Sequence, residues 1–499
     1  MAPSATQRTY RAPCPGCGAP VEFRSAQSTH AVCAYCQSTV VRSGEVLARV
    51  GKMAELFDDH SPLQLHASGR IAQDGKELPF TLVGRLQFKG DAGVWTEWAA
   101  FLDDGTLATL SEDNGSYVFT RAIDPGRPLP EASRFRVGTT TAVNGQPYSV
   151  AFSGQVRLVA AQGELPKLPA LGEPFGRVEL RSSEGEVLSI DYSRQPPQVE
   201  RGRAVLLEDL KLQGLKDESA KDEKGRQFSC PHCGAPVQVQ LATTRSLTCP
   251  SCASLIGLDG GVGGELRAAM QEEPVQPLIA LGSKGQLQGV HWQVVGFQHR
   301  MGREPGDDEL FGWNEYLLYN QKRGFAFLVD AEDGWSLVRP ATGAPRLSAN
   351  GRSATYLGAT YALQYSYDAE TTYVLGEFYW PVERGQKTAN RDFASSKGLL
   401  AMEQSASEVT WSSGDRLQAS AVARAFGLQD PQALQRQGDD PGPFVAARGA
   451  GCGTVVLIVV VLVILLIVLS NCAGGTGGSG YTRSSGGSWG GYSSGGGHK

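Results

Sequence analysis

Cys14-Pro15-Gly16-Cys17-Gly18-Ala19-Pro20-Val21 and Cys230-Pro231-His232-Cys233-Gly234-Ala235-Pro236-Val237 are two copies of one sequence pattern, 216 residues apart. In each copy a second Cys-x-x-Cys pair follows after fifteen residues, as Cys33-Ala34-Tyr35-Cys36 and as Cys249-Pro250-Ser251-Cys252. The two quartets account for eight of the ten cysteines. The repeated spacing therefore predicts a duplicated architecture, built twice around the same four-cysteine module.

Four cysteines at this spacing are typical of a structural zinc site, because two Cys-x-x-Cys turns can place four thiolates in a tetrahedron about 2.3 Å from the metal. We expect two structural Zn²⁺ sites, each folding a ribbon too small to fold alone. A catalytic zinc would keep an open position, and a redox pair would need a thioredoxin-like context. The predicted ligands are Cys14, Cys17, Cys33, Cys36, Cys230, Cys233, Cys249 and Cys252.

The bulk composition favours a cytosolic location for most of the chain. The N-terminus has no secretory layout, and cysteine pairs at metal spacing indicate a reducing compartment rather than disulfides. The 499 residues carry a net charge of −5, whereas a protein that binds nucleic acid over its whole surface usually has a basic excess. Nucleic acid is therefore an unlikely partner.

Each ribbon is followed by a stretch of strand-length apolar runs, and the two stretches match loosely. The shared segments are Trp95-Thr96-Glu97-Trp98 with Trp313-Asn314-Glu315-Tyr316, Glu112-Asp113 with Glu332-Asp333, and Gly163-Glu164-Leu165-Pro166 with Gly376-Glu377-Phe378-Tyr379-Trp380-Pro381. Runs of this length separated by Gly, Asp and Asn turns predict a mostly antiparallel barrel or sandwich. The predicted fold is mostly β, with two zinc-ribbon plus β-barrel or sandwich units in tandem.

Four glutamates within these shared segments are candidate functional acids. Glu97 and Glu315 sit between aromatic residues, and we expect them to point from a half-buried strand into water, although an active-site role is the alternative. Glu164 and Glu377 follow a glycine at a strand end. A glutamate there could orient a ligand or satisfy the amides of a turn.

The sequence also predicts the order of domains and a closing helix. Leu417, Ala421, Val422 and Ala425 recur at helical spacing within Asp415–Leu428, which predicts an amphipathic helix that packs on the core. The predicted divisions are zinc ribbon 1 over 10–45, β domain 1 over 50–210, a charged linker over 211–227, zinc ribbon 2 over 228–260, β domain 2 with the closing helix over 265–428, and a tether over 429–450.

The last part of the chain reads as a membrane anchor. Val455–Leu469 is an uninterrupted apolar run, and uncharged flanks extend it to a predicted transmembrane helix over 451–472. The Gly/Ser-rich tail over 473–499 cannot bury a core and is predicted to be disordered. With one span and no signal peptide, we expect a single-pass protein of the inner, cytoplasmic membrane. The bulk of the chain would be cytoplasmic and the short tail outside.

The quartets and the β motifs together resemble a bacterial family called domain of unknown function 4178. The resemblance rests on the CPxCGAPV pattern, the WxE[WY] segment, the late GE[FL]xxP segment, and a closing strand assigned to Ile190-Asp191-Tyr192 and to Val409-Thr410-Trp411. It covers most of residues 10–428. It implies no catalytic activity and no active-site residue, and it points to membrane-stress or polyamine-related systems.

Three functions compete at this point. The first is a membrane-anchored cytoplasmic scaffold or adaptor, in which the duplicated modules bind partner proteins with avidity. The second is an enzyme that uses Glu97, Glu315, Glu164 or Glu377. The third is nucleic-acid binding through the ribbons, of which the first carries Arg11, Arg24, Arg42 and Arg49. The duplication favours the scaffold, and the sequence leaves the partner and the oligomeric state open.

Overall fold

The computed structural model describes residues 10–436, apart from residues 25–27, 44–45, 53–60, 74, 91–93, 114, 167, 217–225, 242–243, 259–266, 270, 272–274, 406–408 and 430–433. The predicted transmembrane helix over 451–472 and the tail over 473–499 lie outside the described residues. Among the residues that are described, no helix combines the length and the apolar character needed to cross a membrane.

The described residues form thirty-one strands, one 3-10 helix and one α-helix, arranged as two successive units. Unit 1 contains β1 (Tyr10–Pro13), β2 (Pro20–Phe23), β3 (His30–Val32), β4 (Ser38–Ser43), β5 (Val46–Lys52), β6 (Ser68–Gln73), β7 (Lys76–Lys89), β8 (Val94–Leu102), β9 (Leu107–Asp113), β10 (Ser116–Ile123), the 3-10 helix Ala132–Arg134, β11 (Thr140–Val143), β12 (Gln146–Leu165), β13 (Pro174–Arg181), β14 (Glu186–Asp191) and β15 (Gln198–Val205). Unit 2 contains β16 (Arg226–Ser229), β17 (Pro236–Val239), β18 (Ser246–Thr248), β19 (Leu255–Gly257), β20 (Arg267–Ala269), β21 (Lys284–Leu287), β22 (Val290–Arg303), β23 (Leu310–Asn320), β24 (Gly324–Ala331), β25 (Gly334–Pro340), β26 (Arg346–Leu347), β27 (Ser353–Tyr356), β28 (Ala359–Phe378), β29 (Lys387–Ser395), β30 (Gly398–Gln404), β31 (Val409–Leu417) and α1 (Ala419–Phe426).

Eight strands of each unit close into an antiparallel barrel. In unit 1 the order around the ring is β7, β8, β9, β10, β15, β14, β13 and β12, and β12 pairs with β7 to close it. In unit 2 the order is β22, β23, β24, β25, β31, β30, β29 and β28, closed by the pairing of β28 with β22. Eight strands enclose an interior just wide enough for side chains to fill. The prediction of a mostly β fold is confirmed, and both units are barrels rather than sandwiches.

Both faces of several barrel strands are buried, which explains their continuous apolar runs. All eight residues of β24 are buried. Phe325, Phe327 and Val329 pack in the cluster that contains Trp313, whereas the alternate residues Ala326 and Leu328 pack in the cluster beneath α1. Successive residues of a strand point to opposite faces. The first cluster therefore fills the barrel and the second covers its outside.

The closing helix covers this outer face, but it is shorter than predicted. The observed α1 begins at Ala419, because residues up to Leu417 continue β31 and pair with β25. Its buried residues pack in the cluster that contains Trp335, so the prediction that the helix packs on the core is confirmed. Gly427 adopts a left-handed φ of 65° and ends the helix.

The strand registers correct two of the matches inferred from sequence. Glu112 lies opposite Tyr117, and Asp330 lies opposite Trp335 at the same place in unit 2. Glu112 therefore corresponds to Asp330, and its predicted match with Glu332 is wrong, because Glu332 lies in the β24–β25 turn. The two assigned closing strands are also not equivalent. Asp191 ends β14, whereas Val409-Thr410-Trp411 begins β31.

Part of the segment predicted as an exposed linker packs on unit 1 instead. The Gln213 N–H donates to the Ser68 carbonyl at 2.8 Å, and the Lys216 N–H donates to the Pro62 carbonyl at 2.9 Å. Residues 217–225 of the predicted linker lie outside the described residues. Its last two residues, 226–227, begin β16 of unit 2.

Paired glycines allow two strands to approach closely where each barrel closes. Gly163 on β12 lies opposite Gly84 on β7, and it has a φ of 77°. A Cβ atom at Gly163 would collide with the Val83 carbonyl oxygen. Gly376 and Gly296 repeat this pair in unit 2, and Gly376 has a φ of 83°. The glycine of the shared Gly-Glu motif is thus required by its backbone and by the close approach of β7 and β12.

Gly163→Ala is expected to destabilise unit 1 by about 3 kcal/mol or more, because it adds both left-handed strain and a backbone collision. The matched control is Gly145→Ala. Gly145 has a φ of 78°, but nothing lies within 4 Å of a Cβ atom there. Strain alone should cost about 1 kcal/mol at that position. Equilibrium urea unfolding of the two variants measures the difference, and equal losses would show that the close approach contributes nothing.

Candidate metal centres and their junctions with the barrels

Each cysteine quartet converges into one group positioned to bind a metal ion. In both groups all four Sγ atoms lie within 4.8 Å of one another. The Sγ–Sγ distance is 3.8 Å between Cys14 and Cys36 and 3.7 Å between Cys17 and Cys33. In ribbon 2 the corresponding pairs, Cys230 with Cys252 and Cys233 with Cys249, are both separated by 3.8 Å. Zinc–sulfur bonds of about 2.3 Å in a tetrahedron require sulfur atoms about 3.8 Å apart, so the residues fit this geometry.

The local backbone explains why the quartets form. In ribbon 1, the Gly18 N–H donates to the Cys14 carbonyl at 2.8 Å, and the Gly16 N–H points at Cys14 Sγ at 3.3 Å. Gly18 and Gly234 have φ values of 78° and 75°, which other residues rarely adopt. The strands that follow alternate between exposed and buried residues. These turns hold the first two sulfurs of each quartet on one side of a short hairpin.

The thiols differ in how readily they lose a proton. The Ser38 hydroxyl, 3.2 Å from the sulfur, lowers the pKa of Cys36 to about 6, and Ser254 lowers the pKa of Cys252 to about 6 in the same way. Metal ions bind the thiolate form. The same ligand position in each quartet is therefore prepared for metal at neutral pH by a serine two residues later.

Each ribbon is joined to its barrel by strand pairing. β3, which leads into Cys33, pairs with the end of β12 in unit 1. β18, which leads into Cys249, pairs with the end of β28 in unit 2. The ribbon therefore extends the sheet of the barrel, and the metal group sits one residue beyond the shared strand.

The glutamates of the shared Gly-Glu motif fasten this junction. Glu164 accepts a hydrogen bond from the Arg24 N–H at 2.7 Å. Glu377 accepts from the N–H groups of Gln240 and Leu241 at 2.8 and 3.0 Å and from the Thr244 hydroxyl at 2.6 Å. Both carboxylates bind residues that lie between the two halves of the ribbon. Of the two alternatives left open by the sequence, the structure shows that these glutamates satisfy turn amides.

Glu377→Ala is expected to loosen ribbon 2 by about 1–3 kcal/mol, because it leaves two turn amides and a hydroxyl without their acceptor. Hydrogen exchange at Gln240 and Leu241 should accelerate, while exchange within β22–β23 stays unchanged. The exposed Glu383, a few residues along the same chain segment, provides the control variant Glu383→Ala. Unchanged exchange at Gln240 in Glu377→Ala would contradict this role.

Glu97 does not face water as predicted; it is buried in the interior of barrel 1. Its side chain accepts from Trp95 Nε1 at 3.2 Å and forms an ion pair with Arg177, whose guanidinium also lies 3.9 Å from Asp191. Burial lowers the pKa of Arg177, but the carboxylates of Glu97 and Asp191 outweigh it and raise the pKa. The prediction failed because Trp95 and Glu97 are two residues apart and therefore share a strand face.

The prediction that Glu315 faces water is wrong for the same reason. Its side chain is 1 % exposed and lies inside barrel 2. It accepts from Trp313 Nε1 at 2.6 Å and lies 3.7 Å from Arg300. Arg300 also binds Glu403 at 3.0 Å and the Thr388 hydroxyl at 2.7 Å. Burial raises the pKa of Glu315 to about 7, although Arg300 lowers it. In each barrel, one buried arginine thus lies between two carboxylates.

The two ion clusters have their acids at equivalent strand positions but their arginines at different ones. Strand registers equate Glu97 with Glu315 and Asp191 with Glu403. Arg177 corresponds to Asn390, which lies opposite Glu403, and Arg300 corresponds to Phe88, which lies opposite Trp95. The guanidinium therefore reaches the same pair of acids from β13 in unit 1 and from β22 in unit 2. Sequence comparison of the repeats missed both arginines for this reason.

The basic residues of ribbon 1 are partly engaged within the ribbon. Arg11 lies 3.5 Å from Glu22, and the Arg42 guanidinium lies over the rings of Tyr10 and Phe23 at 5.6 and 5.1 Å from their centroids. The Glu22 carboxylate offsets the charge of Arg11, whereas the aromatic contacts hold the Arg42 side chain against the ribbon and leave its charge in place.

Comparison with known proteins finds one matching family. The family model described as domain of unknown function (DUF4178) matches residues 74–207 and 280–419, which together are more than half of the chain. The matched regions cover most of the two barrels, whereas both cysteine ribbons lie outside them. The resemblance inferred from the motifs is confirmed. No curated protein and no solved structure matches the chain.

Proposed function

We propose that this chain, which belongs to the family described as domain of unknown function (DUF4178), is a membrane-anchored cytoplasmic adaptor that binds partner proteins through its two ribbon–barrel units. The family resemblance directs the search for partners to membrane-stress or polyamine-related systems.

Zinc is the metal we assign to both cysteine groups. The Sγ–Sγ distances of 3.7 and 3.8 Å match a tetrahedral thiolate site, and four cysteines leave no position for substrate or water. Bound zinc would supply a cross-link that holds each ribbon folded. Cys14, Cys17, Cys33 and Cys36 would hold one ion, and Cys230, Cys233, Cys249 and Cys252 the other.

One observation carries the proposal: the candidate acids serve the structure, and two of them hold the ribbons on the barrels. Glu164 and Glu377 bind ribbon turns, while Glu97 and Glu315 are enclosed in ion clusters. Each unit exposes the tip of a ribbon that is fixed to the barrel sheet. In ribbon 1 that tip carries Tyr35, which is 75 % exposed. Exposed tyrosine on a rigid element is typical of a protein-binding residue.

The apolar run Val455–Leu469, extended by its uncharged flanks to 451–472, supports the anchor, because a span of about 20 residues crosses the hydrocarbon layer. Attachment to one membrane would hold both units at a high effective concentration for a partner there.

The test is affinity capture of the full-length protein from detergent-solubilised native membranes, followed by mass spectrometry. We expect a stoichiometric protein partner. Tyr35→Ser should weaken its capture by about tenfold or more, since loss of a binding tyrosine costs about 2 kcal/mol. This substitution places in ribbon 1 the residue that ribbon 2 already has at Ser251. A chain truncated after Pro441 should move from the membrane to the soluble fraction and lose a membrane-bound partner.

Leu310→Ala, at an exposed apolar residue of barrel 2, is the matched control. Equal capture by wild type and Tyr35→Ser would contradict a binding role for the ribbon tip. Sedimentation of the truncated chain with membranes would contradict the anchor.

A further inference from the structure

An arginine at the same place on both barrels has an acidic partner in unit 1 but not in unit 2. The strand registers put Arg121 on β10 and Arg339 on β25 at equivalent positions of the outer barrel face. In unit 1, Arg121 Nη2 lies 2.9 Å from Asp104 Oδ2 and also donates to the Thr106 hydroxyl. Among the described residues, no carboxylate lies within ion-pair distance of Arg339.

The turn that supplies the acid in unit 1 supplies cations in unit 2. The β8–β9 turn reads Asp104-Gly105-Thr106, and the corresponding β23–β24 turn reads Lys322-Arg323-Gly324. The two turns have the same length between their paired strands. A lysine therefore stands at the place of the acid that binds Arg121, and an arginine stands at the place of the glycine beside it.

The acids near Arg339 are engaged elsewhere and do not balance its surroundings. Glu208 of unit 1 pairs with Arg323 at 3.3 Å, and Asp415 accepts from Gln288 Nε2 at 3.3 Å. Burial and the charge of Arg323 lower the pKa of Arg339, and Asp415 offsets only part of this. Repulsion between the two guanidinium groups therefore outweighs the attraction that Asp415 provides, and an added anion would relieve it.

The cations are held on rigid supports. The Arg339 guanidinium lies over the Trp292 ring, 5.2 Å from its centroid, and that ring is 1 % exposed. Asn320 Oδ1 accepts from the N–H groups of Lys322 and Arg323 at 2.9 and 2.8 Å, which fixes the turn. A guanidinium stacked on an aromatic ring can still use its in-plane N–H groups to bind the oxygens of an anion. Arg339 is half-buried and Lys322 is exposed, so an anion can reach them from solvent.

We propose that Arg339, together with Arg323 and Lys322, binds a phosphate group at the place that the Asp104 carboxylate takes against Arg121 in unit 1. A phosphate group suits several cations better than a carboxylate does, because it offers more acceptor oxygens and can carry up to two charges. This chemistry is shared by free phosphate compounds and by the headgroup of a phospholipid. The site is separate from partner binding at the ribbon tips and does not depend on it.

The test is isothermal titration calorimetry of the full-length protein in detergent with inorganic phosphate at low ionic strength. We expect one saturable site per chain. Lys322→Asp recreates the arrangement of unit 1, so its carboxylate should compete for Arg339 and raise the dissociation constant by about tenfold or more. The matched control is Lys76→Asp, which makes the same change of charge at an exposed residue of unit 1 and should bind like wild type.

The same titration with short-chain phosphatidic acid, and with short-chain phosphatidylcholine as its control, identifies the source of the phosphate. Tighter binding of phosphatidic acid than of inorganic phosphate assigns a lipid headgroup, and the reverse order assigns a free phosphate compound.

Urea unfolding separates loss of the site from loss of the fold. Lys322→Asp should be at least as stable as wild type without phosphate, because the new carboxylate can pair with Arg339. The proposal is overturned if neither phosphate compound gives a saturable heat, if Lys322→Asp and Lys76→Asp bind equally, or if Lys322→Asp is destabilised, since that result would mean that Arg339 is already balanced.

Discussion

Serine at Cys230 and Cys249 should reduce the bound zinc from two ions per chain to one and unfold ribbon 2, while barrel 2 stays closed. Structural zinc contributes about 10–16 kcal/mol in small modules, far more than the ribbon's apolar contacts can replace. Those contacts are a small cluster in which two cysteines are themselves members, together with Leu241 and Leu255, which pack on the cluster of barrel 2. Without metal, β18 should therefore detach from β28.

The barrel is expected to survive because its closure does not use the ribbon. β28 pairs with β18 through only two residues, but with β22 through eight. Hydrogen exchange should separate the two outcomes. The Leu247 and Ile256 amides should exchange about a thousandfold faster, which corresponds to a loss of about 4 kcal/mol of local protection. Amides of β22 and β23 should keep their protection.

Elemental analysis supplies the metal count, and the equivalent pair Cys14 and Cys33 supplies the control, since serine there should affect only ribbon 1. Retention of two zinc ions by the Cys230/Cys249 variant would refute the ligand assignment. Simultaneous loss of protection in ribbon and barrel would show that the two are one cooperative unit.

Arg177→Asn is the second variant with a large expected effect, a loss of about 3–5 kcal/mol from unit 1. It would leave Glu97 and Asp191 buried without their cation, and an uncompensated buried charge is strongly destabilising. The arrangement in unit 2 suggests a second substitution that should restore the lost stability. Adding Phe88→Arg recreates the arrangement of unit 2, where Arg300 stands at the Phe88 position and Asn390 at the Arg177 position.

We expect the double variant to recover at least half of the loss, whereas Phe88→Arg alone should destabilise by placing a second guanidinium beside Arg177. The Arg177 guanidinium already lies 5.9 Å from the Phe88 ring centroid, so a new arginine would reach the same acids. A double-mutant cycle by urea unfolding measures the coupling. Additive losses from the two substitutions would contradict the idea that one cation can serve the cluster from either strand.

The duplicated quartets could be predicted from sequence because ligand spacing is local. A Cys-x-x-Cys turn and its glycine are specified within five residues, and Gly18 and Gly234 adopt the left-handed conformation that this turn requires. The β character was also local, since it follows from strand-length apolar runs. The first residue of the helix could not be predicted from local sequence, because Asp415 and Leu417 join β31 only through pairing with β25.

The roles of the candidate glutamates depended on contacts distant in sequence. Glu164 meets Arg24, and Glu377 meets Gln240, across more than 130 residues. Glu97 meets Arg177 across 80 residues. Local pattern could place these acids on strands and at strand ends. It could not show which chain segment would cover each one.

The sequence by itself determined that this protein has two cysteine modules with metal-ligand spacing, each followed by a β-rich unit, because spacing and alternation are properties of short segments. Tertiary structure alone decided that the units close as barrels, that the Gly-Glu glutamates hold the ribbons, and that one buried arginine serves two acids from different strands in the two units. The physical reason is that barrel closure brings β7 against β12 and β22 against β28. Only that closure defines an inside, and with it which charges must be paired.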